Sequence, residues 1–158
     1  MSAAPPEVAL LQLWRRLSRL PGGRWLFNRA LARAVPYSAT IRPDVRVLEP
    51  GHVELLVRDR RRVRNHLRSV HAIALANAGE LASGLAMTAA LPQGIRGIVT
   101  HLEVDYVKKA RGLIQVTSDA RPPESVTEPT EHRVQADLVD ATGERVATVY
   151  VDWRLAPR

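Results

Sequence analysis

The 158-residue sequence contains no cysteine, which excludes a disulfide framework, a thiol nucleophile and a cysteine-ligated metal. Aromatic residues are scarce at 4%, so few rings are available for stacking on nucleic-acid bases. The five histidines do not follow the spacing of a zinc motif, and the sequence has no Gly-rich phosphate loop and no nucleophile elbow. We therefore expect neither a metal nor a separate cofactor.

The sequence also lacks a secretory leader and a convincing membrane span. Its start, MSAAPPEVALLQLWRR, has no basic region before the apolar part and no small-residue cleavage site after it. Residues 72–91 are long enough to cross a bilayer, but they are mostly Ala and Gly and include Asn77 and Glu80. An acid in the middle of a membrane helix costs about 2.5–3.5 kcal/mol. These observations predict a cytoplasmic protein.

Positive charge is abundant, with a formal net charge of +7 that comes almost entirely from arginine. This charge and the arginine-rich run at 58–64 favour nucleic-acid binding. The few aromatic residues and the absence of a recognisable reading motif disfavour it. Nucleic-acid binding is therefore kept as an alternative and not as the main hypothesis.

Residues 6–35 are predicted to form two short helices that Pro21-Gly22-Gly23 separates. Apolar residues recur at i, i+3, i+4 and i+7 in each helix, and arginines fill the other faces. Two interpretations follow. The favoured one is a solvated basic face on helices that pack against the body, and the other is a membrane-surface anchor.

The rest of the chain predicts an α+β order. Two strands are expected within 40–64 around a turn at 49–52, followed by a helix over 70–90 with Ser69 as its N-cap. Four further strands are expected at 98–106, 113–118, 133–139 and 145–155, with a hairpin turn at 140–143 and a loop at 121–131. We expect an N-terminal helical extension over 1–38 and a domain over 39–158, in which the helix covers an antiparallel sheet of five or six strands.

The central helix is apolar nearly all round, yet it contains one carboxylate, Glu80. At 100° per residue, Glu80 shares a face with Ile73, Asn77 and Gly84, and Gly84 is expected to let another backbone approach closely. Burial disfavours a charged carboxylate, so we expect a raised pKa, as in general bases. A structural ion pair would explain a buried acid equally well.

Two motifs flank this helix. The first is NHLRSVHAI at 65–73 followed by Glu80, and the second is VDYVKKARG at 104–112. The first resembles the Asn-His-x-Gly-(Ser/Thr)-Val-His-Gly-Gly motif, with an acid nine residues after the second His, of hotdog-fold thioesterases of the phenylacetate-pathway type. The second resembles a strand of that family, with Lys109 in place of a proline. The resemblance covers about residues 40–155 and is closest to an uncharacterised bacterial subfamily with an additional N-terminal helical segment.

The resemblance implies a hotdog fold, in which a curled antiparallel sheet wraps a long central helix. It implies a homodimer or a tetramer that binds an acyl-coenzyme A thioester at the dimer interface. Glu80 would be the general base or nucleophile, and the backbone N–H of Ala72 or Ile73 would form the oxyanion hole at the helix N-terminus. Asn65 would position the thioester or a water molecule.

Further residues of the substrate site follow from the same resemblance. They are His66, Ser69 and His71, with His71 expected to act as a capping or supporting residue at the start of the helix. Gly84 is added to them because it shares the helix face of Glu80. A basic group at a strand end could meet the phosphates of coenzyme A or be solvated, with neither favoured: Lys108, Lys109 and Arg111.

The sequence departs from the motif at its glycines, because Ala72-Ile73 replaces the Gly-Gly pair and Arg68 replaces the loop glycine. An oxyanion hole uses a backbone N–H, so Ala72 is compatible with it, whereas Ile73 narrows the site. A hotdog protein that binds acyl groups without cleaving them is therefore the alternative. A charge cluster around Glu80 would favour coenzyme A, and a continuous arginine stripe elsewhere would favour nucleic acid.

Overall fold

The computed structural model describes the backbone of residues 6–158 and the side chains from residue 9 onward. Its helices are α1 (Pro6–Leu17), α2 (Gly23–Ala34) and α3 (Ala72–Ala90). Its strands are β1 (Asp44–Glu49), β2 (His52–Arg58), β3 (Ile95–Tyr106), β4 (Leu113–Asp119), β5 (Thr130–Val139) and β6 (Arg145–Pro157). The predicted element order is confirmed. None of the helices in this described part is long and apolar enough to cross a membrane.

All six strands form one antiparallel sheet in the order β1-β2-β4-β5-β6-β3. The hairpins β1–β2 and β5–β6 join neighbours in the sheet, whereas β3, which follows α3 in the chain, occupies the far edge. Helix α3 contacts every strand, so it lies across one face of the whole sheet. This is the predicted hotdog arrangement of one long helix against an antiparallel sheet.

Helix α3 packs closely on the sheet because many of its residues are small. The closest approach is at Gly79, where a Cβ atom would lie 2.4 Å from Cβ of Val149 on β6. At Gly84 a Cβ atom would lie 3.5 Å from the ring of Trp153, which is ordinary contact. Within this chain the expected close approach at Gly84 is therefore wrong. Gly79 is the glycine that the packing requires.

The predicted strict alternation from Ile98 to Tyr106 is also wrong, because β3 contains a bulge. The register shifts between Val99 and His101, so Thr100 is an extra residue. Ile98 therefore lies on the opposite face of the sheet from Leu102 and Tyr106. The bulge is a property of the pairing between β3 and β6, so the sequence of β3 alone does not reveal it.

The two N-terminal helices pack on the main body through one apolar side. The rings of Trp14 and Phe27 meet edge to face with their centroids 4.9 Å apart, and both belong to the common core. Asn28 on α2 accepts a hydrogen bond from the backbone N–H of Val45 on β1 at 2.9 Å. The helices of the predicted extension are thus confirmed, while the boundary between residues 38 and 39 stays a prediction.

Candidate functional site

The N-terminus of α3 begins directly after His71, whose imidazole Nδ1 accepts the backbone N–H of Ile73 at 3.1 Å. The capping role expected of His71 is confirmed. The prediction that Ser69 caps the helix is wrong, because its hydroxyl donates to Oδ1 of Asn65 at 3.1 Å. Val70 is extended and forms a β-bridge with Arg64, so the helix cannot begin directly after Ser69.

This cap distinguishes the two amides proposed for the oxyanion hole. The N–H of Ile73 is occupied by His71, whereas the N–H of Ala72 has no acceptor among the described residues. Ala72 is the first residue of α3, where the helix dipole is positive and the first amides are unpaired. Ala72 is therefore the better placed donor of the two.

The loop before α3 is organised by the side chain of Asn65. Its Oδ1 accepts hydrogen bonds from the backbone N–H groups of Leu67 at 2.9 Å and Ser69 at 3.2 Å. Its amide Nδ2 makes no hydrogen bond within the described chain and can donate to a ligand. Arg68 has a positive φ of 55°, which explains why the motif has glycine at this position. The side chain of His66 is exposed.

Glu80 lies half-buried on the side of α3 that also presents Ile73 and Asn77. Burial raises the pKa of the Glu80 carboxyl, as the sequence predicts. Its carboxylate forms no hydrogen bond and no ion pair within residues 9–158, and Ser83 reaches only its backbone carbonyl, at 2.9 Å. The structural interpretation of Glu80 required a partner, and the described chain does not supply one.

Glu80 and the Ala72 amide are well separated within one chain. They are eight residues apart on one continuous helix, which corresponds to about 12 Å along its axis. A carbonyl oxygen bound at the Ala72 amide therefore lies beyond hydrogen-bond reach of the same chain's Glu80.

Asn77, which shares the Glu80 face of α3, is a further candidate site residue that the sequence motifs do not mark. It lines a cavity of about 200 Å³ together with Tyr37, His71 and Ile73. Asn77 is only 8% exposed, and its side-chain Oδ1 is buried without a hydrogen-bond partner in the described structure. The available signal was an amide one turn before the acid on an apolar helix. Tyr37 comes from the segment that follows α2, so the N-terminal region also borders this cavity.

A second cavity, of about 230 Å³, lies on the other side of the helix start, between the loop and the end of β3. Its lining includes Asn65, Ser69, Ala72, Tyr106 and Lys109. The hydroxyl of Tyr106 donates to the backbone carbonyl of Ala72 at 3.0 Å and connects β3 to α3. Burial raises the pKa of this hydroxyl, which keeps it a donor. The two sequence motifs therefore meet at this point.

The three basic residues after β3 differ in their surroundings. Lys108 forms ion pairs with Asp140, at 2.7 Å, and with Glu144 in the β5–β6 turn. These carboxylates already neutralise Lys108, and the hydrogen bond from Lys108 holds the pKa of Asp140 well below its usual range. Lys109 and Arg111 are exposed, and Lys109 has no ion-pair partner in the described structure.

Comparison with known proteins supports the fold. The family model described as "Domain of unknown function (DUF4442)" matches residues 23–155. A structural-genomics crystal structure is 28% identical, with a TM-score of 0.82 over 95% of this chain and 99% of the other. A Pseudomonas aeruginosa protein of unknown function, described as a "probable thioesterase", is 22% identical, with a TM-score of 0.73 over 88% and 97%.

A thioesterase family protein from Silicibacter pomeroyi is 18% identical, with a TM-score of 0.69 over 83% of this chain and 96% of the other. None of the curated proteins matches the chain. The hotdog fold is therefore shared with structures named as thioesterases, at identities that establish the fold alone.

Proposed function

We propose that this chain, which belongs to the DUF4442 family and has the hotdog fold, is an acyl-coenzyme A thioesterase. The Glu80 carboxylate is the observation that carries the proposal. It is half-buried on an apolar helix, its pKa is raised, and it has no partner among the described residues. A carboxyl with these properties is suited to proton transfer near neutral pH. The thioesterase names of the structural neighbours are consistent with this chemistry.

In the general-base form of the reaction, Glu80 removes a proton from water as the water oxygen attacks the thioester carbonyl carbon. The carbonyl π electrons move to oxygen, and the resulting oxyanion accepts a hydrogen bond from the N–H of Ala72. Re-formation of the carbonyl breaks the carbon–sulfur bond, and the thiolate of coenzyme A receives the proton from Glu80. The products are a carboxylic acid and free coenzyme A. If Glu80 attacks directly, water instead hydrolyses a mixed anhydride.

Two protomers are needed to assemble this site. Glu80 is about 12 Å along the helix from its own Ala72 amide, so the donor must come from a second helix. The free edge strand β3 and the neighbouring face of α3 expose apolar side chains, namely Ile73, Leu102 and Tyr106. Among the described strands β3 has no neighbour on its outer side, so it can pair with β3 of a second copy. A two-fold axis there would set each Glu80 against the partner's helix start.

Glu80→Gln tests the chemistry, because it retains the shape and removes the base. Turnover of acyl-coenzyme A should fall by about 10²–10⁴-fold, the usual contribution of a positioned general base. Glu124→Gln, in the exposed loop before β5, makes the same chemical change as a control and should leave turnover unaltered. A parent protein without turnover on short, medium, long and aromatic acyl chains would contradict the proposal.

Ala72→Pro tests the oxyanion donor and the shared site together. Proline is well tolerated at the first position of a helix, and His71 already has the extended backbone that precedes proline, so the substitution removes one N–H and preserves the fold. The variant should lose turnover while its melting temperature stays close to that of the parent.

Mixed dimers of the Glu80→Gln and Ala72→Pro chains should recover activity. Each mixed dimer contains one intact site and one site with both defects, so random pairing restores about a quarter of the parent activity. If Glu80 and Ala72 of the same chain formed the site, mixing would restore none.

A second candidate function is acyl-coenzyme A binding without cleavage. It is favoured by Ile73, whose side chain stands where the motif has glycine and whose N–H is already bonded to His71. Saturable binding of an acyl-coenzyme A by a parent that shows no turnover would select this alternative. Turnover that depends on Glu80 would exclude it.

A further inference from the structure

The positive charge of the protein is concentrated in its N-terminal region. Residues 8–43 contain seven arginines and no aspartate or glutamate. The rest of the chain contains sixteen basic and sixteen acidic residues, so the formal net charge of +7 lies entirely within residues 8–43. The formal net charge of the remaining chain is therefore zero.

The arginines of helix α2 lie on its exposed sides, away from the side that packs on the core. Phe27 and Leu31 are buried on one side of the helix. Trp25 and Arg29 lie about 160° around the helix from Phe27 and are exposed. Trp25 is 63% exposed, although the other two tryptophans are 8% exposed. Leu26 and Leu20, the latter in the connection from α1, are also exposed.

These side chains form a surface that we call the extension face. It consists of exposed apolar residues with arginines between them: Leu20, Arg24, Trp25, Leu26, Arg29 and Arg33. The guanidinium of Arg29 lies over the Trp25 ring, 5.2 Å from its centroid. An indole with a cation on its face and aliphatic side chains beside it matches the boundary between lipid headgroups and acyl chains.

We propose that the extension face docks the protein on an anionic lipid surface. The arginines would contact the lipid phosphates, and Trp25, Leu20 and Leu26 would enter the headgroup layer. Charge complementarity supports this partner, because the long acid-free segment that carries seven arginines also exposes these apolar side chains. A nucleic acid would satisfy the arginines but would leave the two leucines without an apolar partner.

Sedimentation of the whole protein with lipid vesicles tests the proposal. Vesicles of phosphatidylcholine with 30% phosphatidylglycerol should bind the protein at low salt, whereas pure phosphatidylcholine should not. The binding should weaken strongly at about 0.5 M NaCl, where screening shortens the range of charge attraction. Because only Trp25 is exposed, its fluorescence should shift to shorter wavelength on binding, and Trp25→Phe should abolish that shift.

Paired substitutions distinguish local from general charge. Arg29→Gln with Arg33→Gln should weaken binding to the anionic vesicles by about 10- to 30-fold. Arg96→Gln with Arg121→Gln removes the same charge from exposed positions outside the extension face and should have little effect. Trp25→Ala with Leu26→Ser should weaken binding without altering the net charge. These side chains are exposed, so circular dichroism should report an unchanged fold.

Three outcomes would overturn the proposal. One is equal weakening by the two arginine pairs, which would indicate a general charge effect. Another is binding to duplex DNA that Trp25→Ala with Leu26→Ser does not alter, together with no binding to vesicles. The third is a lower oligomer mass in the Trp25→Ala and Leu26→Ser variant without vesicle binding, which would identify a second copy of this chain as the occupant.

Discussion

The two sides of helix α3 differ in how completely the rest of the chain packs against them and pairs their polar atoms. Toward the sheet, Gly79 and Ala82 are closely packed, and a single added carbon at Gly79 would collide with Val149. On the other side, Ile73 is 57% exposed, and Asn77 and Glu80 have polar atoms without partners in the described structure. One side of the helix is therefore closely packed in the core, whereas the other side has polar atoms without partners in the described structure. We infer that stability depends on the first side and function on the second.

The largest stability effect is expected from Gly79→Ala on the packed side. The new methyl group would collide with Val149, and overpacking of this kind costs about 1–3 kcal/mol. Gly84→Ala is the matched control, because its methyl group meets only ordinary contact and alanine is the better helix former. Chemical denaturation should show a loss for the first variant and no loss for the second. Equal losses would remove the distinction between the two sides.

On the side of α3 that contains Glu80, Asn77→Leu should instead raise stability. A buried acceptor without a partner costs about 1–3 kcal/mol, so an apolar side chain of similar size should raise the unfolding free energy by up to that amount. Acyl-coenzyme A binding should weaken if the amide contacts the substrate. Calorimetry and substrate titration on the same variant measure both quantities. A fall in stability would mean that Asn77 has a structural partner.

The pH dependence of stability should identify the Glu80 carboxyl. Its folded-state pKa is raised above the unfolded value of about 4.3, so the folded chain holds this proton more tightly. The resulting stabilisation is present below that pH and is lost as the pH rises through the folded-state pKa. Denaturation midpoints of the parent, relative to those of Glu80→Gln, should therefore fall as the pH rises above the unfolded-state pKa of Glu80. A constant difference would show that Glu80 titrates normally.

Arg68→Gly is expected to give the smallest effect. Arg68 has a left-handed backbone, which glycine adopts without strain, but glycine also makes the unfolded chain more flexible. We expect a net gain of about 0.5 kcal/mol, visible as a small rise in melting temperature. A marked loss of stability would indicate that the Arg68 side chain contributes contacts.

Local patterns predicted the element order and the position of Glu80 on the central helix, and the resemblance of the two motifs implied the hotdog fold. They did not predict the bulge at Thr100, the choice of Gly79 over Gly84, or the hydrogen bond from the Ser69 hydroxyl to Asn65, because each depends on what lies across the sheet or along the loop. Asn77 was placed on the Glu80 face but was not predicted as a site residue, for a related reason. An amide one turn before the acid is a weak signal, and only the three-dimensional packing reveals that its oxygen is buried without a partner in the described structure.

The peptide group that joins Ala72 to Ile73 is held at both ends. Its carbonyl accepts from the Tyr106 hydroxyl, and its N–H donates to the His71 imidazole. A peptide plane anchored in this way has little freedom to librate. The Ala72 N–H belongs to the preceding peptide group, whose His71 carbonyl accepts from the N–H groups of Ala74 and Leu75 and so holds that N–H in place. Electrostatic stabilisation of a developing negative charge is most effective when its dipoles need no reorientation. In hydrogen exchange, the Ile73 amide should therefore be protected and the Ala72 amide should exchange rapidly in the ligand-free protein.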